Sequence, residues 1–140
     1  MDIIEANLIA MMTLFGTYHL ITGIVSMFFP RFSIRFYKGL YDFGEFKDNQ
    51  QMILSFKPWG ALAFSIGIMV MIFISDPVKY RLLTLPVLVL VLLRVWYRYT
   101  YREDISRLFG TKTHRNLINI AILAYCAASI SVWILQTMQI

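Results

Sequence analysis

The chain has 140 residues, of which 59% are hydrophobic and 15% charged, with a mean hydropathy of +0.64 and a net charge of +5. A soluble domain of this length needs far more polar surface, which excludes a freely soluble globular protein. The positive charge does not mark a nucleic-acid partner, because it is confined to particular segments and no nucleic-acid-binding motif accompanies it.

Four apolar stretches divide the sequence, at residues 6–29, 52–75, 80–101 and 117–138. Each is near the ~20 residues a helix needs to cross a hydrocarbon layer. The expected fold is therefore all-α: a single integral membrane domain over 1–140, built as a four-transmembrane-helix bundle. The cations alternate with the spans. Arg31, Arg35, Lys38, Lys47, Lys57, Arg94, Arg98, Arg102, Arg107, Lys112 and Arg115 belong to the connections 30–51 and 102–116 or the helix ends beside them, whereas the termini and the middle connection hold only Lys79 and Arg81. The positive-inside rule then puts both long connections in the cytoplasm and both termini outside. In a bacterium this is the inner membrane. The first span has no positive flank and no clear cleavage site, and is expected to be retained as a membrane helix.

Within the first span, His19 is the one ionisable residue near the middle, with Thr22 and Ser26 on its face and Gly16 and Gly23 close by. An ionisable group at that depth is a functional candidate. A neutral imidazole can ligate a haem iron or a chlorin magnesium, or contact a quinone. A structural hydrogen bond to Ser65, Tyr125 or Ser129 is the plainer expectation. The other histidine, His114, lies in a polar connection and offers no second axial ligand.

The segment RFSIRFYKGLYDFGEF follows Phe28-Phe29-Pro30, where proline ends the first ladder of hydrogen bonds. Arg31, Arg35 and Lys38 fall on one helical face and Phe32, Phe36, Leu40 and Phe43 on another. A short amphipathic helix of this kind is expected to lie in the headgroup plane as an interfacial anchor between the first two spans. Gly39 and Gly44 are placed to end or bend it.

In the second span, Pro58 is expected to kink the helix and Trp59 to sit at the interface. Residues 75–79 form a short connection, so the second and third spans are expected to be an antiparallel hairpin. The third span, rich in Leu and Val, suits a lipid-facing position. It carries Arg94, Arg98 and Arg102 at i, i+4 and i+8, which puts them on one face at the cytoplasmic end of the helix. Arg94 lies roughly 9 Å inside the span, at about 1.5 Å per residue. With Lys57 at comparable depth, the ladder suggests an inner-leaflet pocket for an anionic lipid headgroup. Its partners are expected to be backbone carbonyls, lipid phosphate, another subunit, or Asp42, Glu45 or Asp48. Beyond it, Glu103 and Arg107 are spaced for an ion pair, Gly110 for a helix end and Thr111 or Thr113 for a cap.

The fourth span holds the lone Cys126, which supports neither a disulfide nor a metal site. Ala121, Ala124, Ala128 and Ser131 form a small-residue stripe there, matched by Gly60, Ala63 and Gly67 in the second span and Gly16 and Gly23 in the first. These stripes predict a tight seam among the first, second and fourth spans. The methionines read as adaptable packing. There is no embedded carboxylate pair, no HExxH and no serine–histidine–acid pattern, so a catalytic activity is not indicated and no metal is expected.

The runs FGTYHLITGIVSMFFPRFSIRFY and FKPWGALAFSIGIMVMIF resemble small four-helix bacterial membrane proteins of the DoxX-like kind. Those also show an apolar first helix with spaced glycines, an FxP-type exit and an early glycine in the second helix. The likeness covers about the first half of the chain and implies a possible accessory role beside quinone-linked redox complexes. It places no catalytic residue. The leading expectation is thus an accessory or scaffold subunit that binds anionic lipids and other membrane subunits or itself. A quinone- or pigment-contacting redox subunit is the alternative, and small-solute transport ranks third.

Overall fold

In an apolar setting a backbone can hydrogen-bond only to itself, and each of the four apolar stretches is accordingly a helix. The computed structural model describes residues 3–41 and 50–138. Its elements are α1 (Ile3–Phe28), α2 (Pro30–Tyr41), α3 (Gln50–Ser75), a 3-10 turn (Arg81–Leu83), α4 (Thr84–Thr100), α5 (Arg102–Phe109) and α6 (Thr113–Met138). Four helical segments, within α1, α3, the 3-10 turn with α4, and α6, are long and apolar enough to cross a membrane. No strand occurs among the described residues.

The breaks follow local chemistry. Pro30 opens α2 at the first helical position, where its missing N–H costs nothing. Ser33 N–H still donates to the Phe29 carbonyl across the bend (3.0 Å). α3 runs on through Pro58. Its hairpin with α4 turns at Asp76, whose carboxylate accepts from Lys79 N–H and whose carbonyl accepts from Tyr80 N–H, both at 3.0 Å. Pro86 sits in the first turn of α4, where helices tolerate it. Gly110 ends α5 in the left-handed region, at φ 66°, as its position in the sequence suggests.

Two expectations for this end of α4 need correction. The helix does not carry on through Arg102. It breaks at Tyr101 (φ −99°, ψ 22°), and Arg102 starts α5. No glycine or proline marks the break. The new helix instead has Glu103 and Asp104 in its first turn and Arg107 in its last, which suits its own dipole. The ion pair also shifts: Arg107 bonds Asp104 at 2.6 Å, i to i+3, and Glu103 takes Arg102 at 3.4 Å.

α1 and α3 pack antiparallel and more extensively than any other pair, with α4 on α6 next. Glycine makes the first contact possible. A Cβ on Gly23 would stand 2.5 Å from the Phe64 backbone nitrogen, and one on Gly60 would meet the Gly23 carbonyl at 2.8 Å. The predicted three-helix seam is therefore a two-helix seam. Ala121, Ala124 and Ala128 of α6 are exposed, because the glycines of α1 and α3 fit one another and leave that stripe no helix to meet. α6 buries Cys126, Ala127, Ile130 and Trp133 instead. These join Leu8, Met12, Val70, Phe73, Val87 and Val91 in one core, where Phe73 and Trp133 meet edge to face at 5.4 Å. α4 buries only Thr84, Val87 and Val91, and its Leu85, Val89, Leu92 and Leu93 face outward.

α2 docks through Ser33 and Ile34, with Tyr37 beside Phe56 at 6.0 Å between ring centres. Phe32 and Phe36 are exposed on the same outer side as Arg31, Arg35 and Lys38. Asp42, Phe43, Gly44, Glu45, Lys47 and Asp48 lie outside the described residues, as does the side chain of Leu40.

Candidate functional site

Polar side chains in these helices mostly bond to their own backbone. Thr13, Thr22, Ser65 and Ser131 each donate to the carbonyl four residues earlier. His19 uses the same device with one nitrogen and leaves the other for a neighbour. Its Nδ1 lies 2.8 Å from the Phe15 carbonyl, so that nitrogen carries the proton. Nε2 is then an acceptor, and the Arg94 guanidinium donates to it across the bundle at 3.5 Å. The imidazole is 2% exposed and is flanked by the rings of Phe15 and Tyr18 at 4.0 and 5.2 Å. The guanidinium also lies over the Trp59 indole, 5.9 Å from its centre. Three helices therefore meet at Arg94: α1 through His19, α3 through Trp59, and α4 itself.

One turn further along α4, Arg98 donates to Asn116 Oδ1 at 3.0 Å, and Asn116 Nδ2 donates back to the Arg98 carbonyl at 3.2 Å. Asn116 is buried on α6. On the other side of the bundle, Ser26 and Ser33 share a buried hydroxyl contact of 2.6 Å that holds α2 against α1. The half of the bundle nearest α2 and α5 is thus braced by buried polar bridges, whereas the half nearest the termini holds most of the apolar core and has its interhelical polar bonds at exposed positions, between Asn7 and both Tyr125 and Ser129.

The partners of His19 differ from those expected. Ser65 bonds to Ala61, while Tyr125 and Ser129 bond to Asn7 at the far end of the bundle, at 2.8 and 3.5 Å. The four-cation pocket also separates. Arg94 and Arg98 are half-buried and bridge helices. Arg102 is exposed, stacks on Tyr99 at 5.2 Å and donates to the Tyr99 carbonyl. Lys57 is exposed two residues before Trp59. Sequence reasoning missed Asn116 and assigned Trp59 to the interface alone. A register argument comes close to Asn116: in an antiparallel α4–α6 pair, residues at similar distances from the connecting segment lie near each other, and Arg98 is two residues before the end of α4 while Asn116 is three after the start of α6.

A haem or chlorin metal at His19 would have to take Nε2 from Arg94, since Nδ1 is committed to Phe15. Comparison of the chain with protein-family models, with curated proteins and with solved structures finds no match.

Proposed function

We infer that the protein is a four-pass integral membrane protein that acts by binding rather than by catalysis. It is an accessory or scaffold subunit of a larger membrane assembly, held to an anionic leaflet by one end of its bundle. The observation that carries this reading is the asymmetry of that end. α2 and α5 both lie there, and Arg31, Arg35, Lys38, Lys57, Arg102, Arg107, Lys112 and Arg115 are exposed there beside Phe32 and Phe36. Exposed aromatics beside cations suit an interfacial helix on an anionic surface. The same charge bias supports a cytoplasmic position for this end with the termini outside, which in a bacterium would be an orientation in the inner membrane. The DoxX-like pattern of the first half is in keeping with a small accessory subunit.

The test is gentle detergent extraction of the wild-type chain and of the Arg31→Gln/Arg35→Gln/Lys38→Gln variant, followed by identification of the proteins and lipids that accompany each. The wild type is expected to emerge with a larger membrane protein and with anionic phospholipid enriched over the bulk membrane. The variant is expected to lose most of that enrichment, since three cations at about 1 kcal/mol each correspond to roughly a hundredfold at most. A chain that emerges alone, with the lipid composition of its surroundings, refutes the reading.

A further inference from the structure

Arg94 belongs to a seam that is barely packed. α1–α3 and α4–α6 are the close pairs, while α3 and α4 touch over few residues beyond their connecting turn. The guanidinium spans this seam, and it is underused there. Of its five N–H donors, one reaches His19 Nε2 at the long distance of 3.5 Å, and the indole of Trp59 supplies a π face at 5.9 Å. His19 is not the counter-charge: its Nε2 presents a neutral lone pair, and its proton is on Nδ1, donated to the Phe15 carbonyl. None of the described carboxylates, Glu5, Asp76, Glu103 or Asp104, pairs with Arg94. A cation in apolar surroundings with no counter-charge among the described residues is costly, and a guanidinium's fork favours a bidentate oxyanion. The way in is open. Trp59 is 47% exposed and Arg94 is partly exposed.

The geometry points to a discrete site at Arg94, Trp59 and His19 that takes the phosphate of one anionic phospholipid, entering sideways between α3 and α4. His19 positions the guanidinium from behind, and Trp59 forms one wall. This rests on the reading that the four spans cross a bilayer, but it goes beyond general attraction to a charged leaflet: it requires one lipid per chain, held by a residue set that excludes α2.

Native mass spectrometry of the purified chain, titrated with phosphatidylglycerol or phosphatidylcholine, tests it. The wild type is expected to retain one phosphatidylglycerol at least tenfold better than phosphatidylcholine. Arg94→Leu is expected to abolish that preference, and Trp59→Leu, which leaves the fastening to His19 in place, to lower it several-fold. The α2 triple variant should keep the single adduct while losing bulk enrichment, so the two readings fail separately. Equal retention of both lipids by the wild type, or an unchanged preference in Trp59→Leu and Arg94→Leu, overturns the site.

Discussion

Replacing Gly23 by alanine sets two opposed effects against each other at one position. In an exposed helix the change is favourable by up to about 1 kcal/mol, because alanine loses less backbone entropy. At Gly23 the new methyl would stand 2.5 Å from Phe64 N and 2.7 Å from Phe64 Cα. Ordinary contact between heavy atoms begins near about 3.5 Å, so α1 and α3 must part by roughly 1 Å. The obstacle is backbone, which has no rotamer to yield, and the Gly23 carbonyl is itself the surface against which Gly60 packs. Overpacking of this kind costs about 1–3 kcal/mol. The upper part of that range applies, leaving a net loss of about 2 kcal/mol after the helix gain. Gly39→Ala is the matched control, since a Cβ there meets nothing within 4 Å. Unfolding by SDS titration in mixed micelles, followed by tryptophan fluorescence, reads both. Gly23→Ala should unfold at lower SDS than the wild type, and Gly39→Ala at the same or higher. A Gly23→Ala protein as stable as Gly39→Ala would refute the reasoning that backbone contact at this glycine sets the α1–α3 separation.

Asn116→Leu removes both hydrogen bonds that join α6 to Arg98, and a loss of about 1–2 kcal/mol is expected in the same titration, near the upper end for polar contacts between apolar helices. Asn116→Asp, which keeps an acceptor for Arg98, should lose less. Gly110→Val forces a β-branched residue into φ 66° and is expected to cost about 1–3 kcal/mol, with proteolytic cleavage between α5 and α6 rising accordingly.

The four apolar helices were legible because length and hydropathy alone specify them, and Gly110 because a left-handed residue after a short polar helix is nearly always glycine. The glycines of the first and second spans were recognised as a close-packing surface, but the alanines of the fourth were wrongly added to it. Composition shows which faces permit close approach, not which helix arrives there. Arg94 was singled out by its depth, and His19 by its place within an apolar helix. Their contact with each other was not legible, since it depends on the rotation of α1 against α4. The end of the arginine ladder at Tyr101 was hidden for a different reason. The break is a modest change in dihedral angles at a residue with no breaker chemistry, and only the acids at 103 and 104 hint that a new helix starts.

The closest contacts of the bundle join passes that follow one another in the chain: α1 with α3, and α4 with α6. The first hairpin can close while the second is still being synthesised, because Gly16, Gly23, Gly60 and Gly67 find their nearest neighbours within residues 16–71. The Arg94 bridge, the bonds of Asn7 to Tyr125 and Ser129, the Phe73–Trp133 stack and the shared apolar interior await the later half. A chain severed in the exposed turn after Asp76 should therefore reassemble when its two pieces are co-expressed, with the guanidinium serving as the latch that registers one prefabricated half against the other.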